Sequence, residues 1–125
     1  MTLELPDLKK SVMSVAGGVD GNVITVQFVG TADTEARAEL DTYVKQLHVE
    51  AVRLAVANVV VDLRELEFMN SSCLKIFVAW LAQLRDLAPD KQYRIQIRSN
   101  PNLLWQRRSL AALSCFAVDL VTIET

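Results

Sequence analysis

The segment Ala57-Asn58-Val59-Val60-Val61-Asp62-Leu63 constrains the fold more than any other. It is β-branched and apolar nearly throughout, the composition of a central strand covered on both faces, and strands of that kind belong to sheets joined by helical crossovers. The flanking chain supplies the helices. Ahead of it, Ala36, Leu40, Tyr43, Val44, Leu47, Ala51 and Leu54 recur at three- and four-residue steps and form one apolar stripe, with Glu35, Arg37, Glu39, Lys45 and Glu50 largely off it. Asp33 or Thr31 can cap this helix by accepting a hydrogen bond from a free first-turn N–H. A lone His48 lies mid-helix and reads as a tolerated helix residue.

Nearer the start, a short strand Ser11 to Val15, the turn signal Gly17-Gly18-Val19-Asp20-Gly21 and the alternating run Asn22 to Val29 predict a β-hairpin. Beyond the central strand, Arg64 to Met69 reads as a loop, and a helix runs from Ser71 to about Ala88, where Pro89 breaks it. Gln92 to Arg98 alternates as a strand. Ser99-Asn100-Pro101 opens a helix from Asn102 to about Leu113 with proline at its first position, and Phe116 to Ile123 is a last strand. The predicted order is β-β-α-β-α-β-α-β: an α/β domain with a largely parallel central sheet, three crossover helices and an N-terminal antiparallel hairpin.

At 125 residues, with no repeat or linker, the chain is expected to form one domain over 1–125, with 1–10 as a lead-in. The formal net charge of -2 argues against direct nucleic-acid binding. No run approaches the roughly 20 apolar residues of a membrane span, and the first residues lack a signal-peptide pattern, so a cytoplasmic protein without membrane insertion is expected. Cys73 and Cys115 sit in no Cys/His cluster, so neither a metal nor another cofactor is expected. With no G-x-S-x-G elbow, no P-loop and one mid-helix histidine, no catalytic constellation assembles, and the protein is read as a non-enzyme. Asp62, Glu65 and Glu67 near the end of the central strand read as solvated charges.

The chemistry-bearing stretch is Asn70-Ser71-Ser72-Cys73, at the start of the second long helix. Asn70 or Ser71 can cap the helix, worth about 1 kcal/mol. A phosphate on Ser71 or Ser72 would face unpaired N–H groups and the positive end of the helix dipole. Cys73 has two readings, a thiolate favoured by the helix start or a small side chain filling a gap. Along the same helix Leu74, Phe77, Val78, Leu81 and Leu84 form a core stripe, while Ile76, Trp80 and Leu87 form a second strip. That strip either lies under a neighbouring element or extends a docking surface from the serines.

The path V-V-V-D-L-R-E-L-E-F-M-N-S-S-C-L, with the G-T-A-D stretch opening the first long helix, resembles the STAS domain of anti-sigma factor antagonists. The resemblance covers nearly the whole chain. It implies a partner-switching interaction module that binds an anti-sigma factor acting as a serine kinase and is phosphorylated at the second serine of a D-S-S-G-L motif. By position that acceptor is Ser72, beside Ser71, with Asn70 in place of the acidic residue and Cys73 placing a side chain where the family has glycine. Asn70, Ser71, Ser72, Cys73, Ile76 and Trp80 are the expected partner-binding residues. Other STAS proteins are unphosphorylated scaffolds of stress complexes or subunits of phospholipid ABC transporters that bind the transporter's ATPase. These alternatives stay open, as does homodimerisation.

Overall fold

Period-two alternation becomes a buried and an exposed face from Ile24 to Phe28, where Ile24, Val26 and Phe28 are buried and Thr25 and Gln27 exposed. A computed structural model describes Leu3, Leu8–Lys9 and Met13–Thr125. Its strands are β1 (Leu8–Lys9), β2 (Met13–Asp20), β3 (Val23–Ala32), β4 (Asn58–Met69), β5 (Arg94–Arg98) and β6 (Val121–Glu124). Its helices are α1 (Arg37–Arg53), α2 (Ser71–Asp86) and α3 (Leu104–Phe116). They build one six-stranded sheet in chain order, antiparallel from β1 to β3 and parallel from β3 to β6. The expected α/β order is present, with the short β1 added inside the stretch read as a lead-in. Ser11 and Val12 of the expected first strand lie outside the described residues, and Gly17-Gly18 belongs to β2 and not to the turn. The turn is Gly21-Asn22, with φ +60° at Gly21 and none of the left-handed conformation at Asn22, as in a type II′ hairpin.

Parallel neighbours in chain order, joined by right-handed crossovers, place all three crossover helices on one face. Burial agrees. Ile24, Val26 and Phe28 of β3, Val59, Val61 and Leu63 of β4, and Ile95 and Ile97 of β5 share a single core with residues of α1, α2 and α3. The opposite face carries Thr25, Gln27, Gln96, Thr122 and Glu124. The expectation that the central strand is covered by helices on both faces is therefore corrected. Val60 is buried because Thr25 and Gln96 stand in register on either side of it, and Asp62 is 4% exposed beneath a bidentate contact from Arg64, Nε to Oδ1 at 3.0 Å and Nη2 to Oδ2 at 2.7 Å. That contact, together with the N–H of Arg64, holds the Asp62 carboxyl below the usual carboxylate range against the opposing effect of burial.

All seven residues of the predicted α1 stripe are buried. Glu50, expected off the stripe, is buried too and is clasped by Arg53, Nη2 to Oε1 at 2.7 Å. Gly17 sits where Tyr43 of α1 crosses the sheet: a Cβ there would lie 3.1 Å from both the Tyr43 hydroxyl and Val26 Cγ1.

The stretch read as a loop, Arg64 to Met69, is strand. β4 continues beside β3 through two register shifts, pairing Gly30 with Leu66, then Thr31 with Phe68 and Ala32 with Met69. Gly30 takes φ +101° at the second shift. On its other side β4 outruns β5, whose last pairing is Arg98 with Asp62. The freed carbonyls are taken up by α3 and the turn before it: Gln106 Nε2 donates to Leu63 O (2.6 Å) and Leu66 O (3.2 Å), Trp105 Nε1 to Leu66 O (3.1 Å), and Asn100 Nδ2 to Arg64 O (3.2 Å). Asn100 Oδ1 also accepts from the Asn102 N–H, which closes a turn over Pro101-Asn102 and delays the helix to Leu104, past the predicted start at Asn102. The last strand is correspondingly shorter than predicted, because α3 runs on through Phe116.

Replacing Gln106 by Leu keeps the volume and removes the donor to Leu63 O. Leaving that carbonyl and the Asn100 N–H unpaired is expected to destabilise the fold by roughly 2–3 kcal/mol, seen as a lower urea midpoint at unchanged m.

Candidate functional site

The end of β4 aims the start of α2. The Asn70 N–H continues the sheet ladder by donating to Ala32 O at 3.0 Å, and its extended backbone (φ -77°, ψ 168°) is that of an N-cap. Its side chain works at both ends. Oδ1 accepts from the Cys73 N–H at 2.9 Å, and Nδ2 donates to Thr34 Oγ1 at 3.2 Å, in the 3₁₀ turn Thr34–Ala36 that leads into α1. That turn is itself capped by Asp33, whose Oδ1 accepts from the Ala36 N–H at 3.2 Å. Asn70 is thus the capping residue of the two candidates, and Asp33, not Thr31, caps the entry to α1.

Ser71 is exposed and Ser72 half-buried, both in the first turn of α2. Among the described residues nothing accepts from their N–H groups, whereas the N–H of Cys73 and that of Leu74 are bound by the side chain and the carbonyl of Asn70. The two serine hydroxyls and two free N–H groups therefore share the positive end of the helix.

Cys73 points the other way. It is 0% exposed, packed against the turn before α1 with Sγ donating to Asp33 O at 3.5 Å. Burial pushes its thiol up, Asp33 adds to the rise and Arg37 opposes it. The gap-filling reading of Cys73 holds, and its side chain does not stand on the approach to the serines. Ile76 and Trp80 are likewise corrected: at 5% and 2% exposure they lie in the core, because α2 is the middle helix, between α1 and α3, and buries a wide arc. Of the expected partner-binding residues, Asn70, Ser71 and Ser72 stand together at an accessible surface, while Cys73, Ile76 and Trp80 face inward.

The structure adds two residues to this surface. Phe68 is 46% exposed beside the helix start. Unbroken alternation from buried Leu66 would turn Phe68 inward; the second bulge reverses the sense, so Met69 is buried and Phe68 faces out. Thr34 belongs to the site through its bond to Asn70. The signal for Phe68 in the sequence is the Glu65-Leu66-Glu67-Phe68 alternation, which misleads unless the bulge is known. The carboxylates Glu65 and Glu67 do not converge on the site, and Glu65 accepts from Gln27 Nε2 at 3.0 Å. No group of three metal-ligating side chains and no helix long and apolar enough to cross a membrane occurs among the described residues.

No family model and no curated protein matches the chain. Solved structures do. An anti-sigma factor antagonist from Mycobacterium paratuberculosis superposes with a TM-score of 0.61 at 18% identity, over 82% of this chain and 80% of that one. The anti-sigma factor antagonist SpoIIAA in its unphosphorylated form gives 0.54 at 14% identity, over 89% and 88% of the two chains. The Bacillus cell fate determinant SpoIIAA in the phosphorylated form gives 0.56 at 14% identity, over 89% and 91%. The chain has the STAS fold. The resemblance read from the strand-to-serine path therefore holds at the level of fold, and within that fold Asn70 to Cys73 occupy the turn from the central strand into the second long helix.

Two outcomes are expected. Alkylation of the folded protein at neutral pH labels exposed Cys115 and spares Cys73 until denaturant is added, as read by peptide mass spectrometry. Asn70→Ala, which loses the cap and the tie to Thr34, lowers stability by about 1–2 kcal/mol in urea unfolding.

Proposed function

We propose that the protein is a non-enzymatic, cytoplasmic interaction module of the anti-sigma factor antagonist kind, which docks an anti-sigma factor acting as a serine kinase through the start of α2. The observation that carries this reading is the accessible pair Ser71-Ser72, with unpaired N–H groups, on a helix start flanked by half-exposed Phe68. An apolar ring beside hydroxyl groups and free donors suits a partner that buries the ring and hydrogen-bonds the helix end. The likeness to SpoIIAA, whose structures include unphosphorylated and phosphorylated forms, supports control by phosphorylation.

Ser72 is the proposed acceptor. A phosphoryl group there would be stabilised by the N–H groups of the first turn, so the helix tolerates it, while a docked partner would meet a near-dianionic group in a desolvated contact. Modification would then release the partner without unfolding the module. Asn70 supports capping in both states, because it contributes no charge that would repel the phosphate. The buried Cys73 side chain leaves the outer face of the first turn as open as a glycine would.

Incubation with ATP and candidate anti-sigma kinases is expected to add one phosphate, mapped to Ser72 by intact-mass and peptide analysis and absent from Ser72→Ala. Ser72→Asp should weaken kinase binding at least about tenfold, equivalent to roughly 1.4 kcal/mol, and Phe68→Ala should do so without changing the phosphate site. Absence of phosphate together with undiminished binding by Ser72→Asp would discard the switch. Capture of a transporter ATPase in place of a kinase would replace it with the transporter reading.

A further inference from the structure

The helix-covered side of the sheet holds a hydrogen-bond chain away from the serines. Trp80 of α2, 2% exposed, points its Nε1–H at the Tyr93 hydroxyl, 2.6 Å away. Tyr93, 1% exposed just before β5, has that same oxygen 2.6 Å from Nδ1 of His48 on α1. The rings form one cluster, with centroids 5.8 Å apart for His48 and Tyr93 and 6.5 Å for Trp80 and Tyr93.

Counting protons fixes the direction of the chain. An indole N–H can only donate, so the Tyr93 oxygen accepts from Trp80. Tyr93 has one hydroxyl proton to give, and the acceptor within reach is His48 Nδ1. The imidazole is then neutral with its proton on Nε2. In the other tautomer Nδ1–H and Nε1–H would both point at the Tyr93 oxygen, and the buried hydroxyl proton would have no acceptor among the described residues. With neutral His48 the two contacts around the Tyr93 oxygen pair two donors with two acceptors.

One added proton on Nδ1 destroys that balance. Two donors, Trp80 Nε1–H and His48 Nδ1–H, would then converge on the Tyr93 oxygen and take both its lone pairs, and the buried hydroxyl proton would be left with no acceptor among the described residues. Among the described residues no salt bridge to His48 compensates. Tyr93 is the titratable group facing His48 from the approach to β5, and Trp80 is the polar group behind it from α2. On α1 itself Lys45 is paired with Asp41 at 2.9 Å, and Arg53 with Glu50 at 2.7 Å. Burial alone moves the titration of His48, to below its ordinary value of 6.5.

We propose that His48, Tyr93 and Trp80 form a proton-sensitive latch: neutral His48 ties α1 to α2 through the Tyr93 hydroxyl, and protonation at Nδ1 breaks the tie and loosens the seating of α2. Trp80 lies about 12 Å along the helix from Ser72, so the latch acts on the element that presents the serines. It is a property of this chain alone and stands or falls independently of any partner.

The sign follows from the depressed titration. Stability contributed by neutral His48 is fully present above pH 6.5 and is lost as the pH falls through the lower folded-state value. The test is a ¹⁵N NMR titration of the intact protein from pH 8 to pH 5. At the alkaline end the His48 nitrogens should report the Nε2–H tautomer. The Trp80 indole N–H resonance should then shift with the same midpoint as His48, below 6.5, while the Trp105 indole, bonded to Leu66 O, stays fixed as an internal control. Amide exchange along α2 should quicken several-fold below that midpoint in the wild type and not in His48→Gln, which cannot titrate. Tyr93→Phe should uncouple the Trp80 resonance from His48. A Trp80 resonance that stays fixed while His48 titrates, a His48 midpoint at or above 6.5, an Nδ1–H tautomer, or α2 exchange with the same pH dependence in His48→Gln would each overturn the latch.

Discussion

The overhang of β4 past β5 is the constraint on which the rest of the serine-bearing end depends. A strand that outruns its neighbour presents backbone carbonyls with no ladder to join, and a buried carbonyl without a donor is destabilising by roughly 1–3 kcal/mol. The protein meets this with side chains from α3 and the turn before it: Gln106, Trp105 and Asn100 together bond Leu63, Arg64 and Leu66. They stand where the next strand would have been. Because the overhang is held on that side and paired with β3 on the other, its last residue, Met69, is fixed, and Asn70 enters α2 from a defined direction. A floppy loop at the same place could not keep the cap, the Thr34 tie and the serines in register.

Much of this was legible in the chain. The α1 stripe was readable because that helix lies at the side of the helical layer and buries one narrow face, so three- and four-residue spacing maps directly onto burial. Valine-rich β4 was readable as central for its first half. The second half was not: Arg64, Glu65 and Glu67 look like loop residues, and two bulges break the alternation that would have marked a strand. The same bulges hide the outward turn of Phe68 from its sequence pattern. Ile76 and Trp80 were misplaced because a helical wheel assumes one partner surface, whereas α2 is flanked by a helix on either side as well as by the sheet. Arg85 at its far end even reaches over to α3, donating to Phe116 O at 3.0 Å with its guanidinium 4.6 Å from the ring centre.

Asn70 and Cys73 both act at the junction between α1 and α2. Asn70 retains the acceptor that caps the helix and adds a donor that an aspartate lacks, so the cap and the tie to the entrance of α1 are one residue's work. Cys73 turns its side chain into the seam between the helix start and that entrance. Both side chains bond across the junction between α1 and α2 and leave the outer face of the first turn open. Surface chemistry and packing are thus separable here, which is why burial settles the role of Cys73 where motif spacing could not.

Two junctions, then, fix α2 against α1. One lies at its first residue, through Asn70 and Cys73 to the turn before α1; the other lies at mid-helix, through Trp80, Tyr93 and His48. They differ in kind. Neither group of the first junction titrates near neutrality in its buried, hydrogen-bonded state: an amide has no proton to gain there, and the Cys73 thiol is pushed further from ionising. The second contains an imidazole whose charge is disfavoured by burial. Acidification therefore bears on the mid-helix junction, through His48, and leaves the cap at Asn70 without a titrating group.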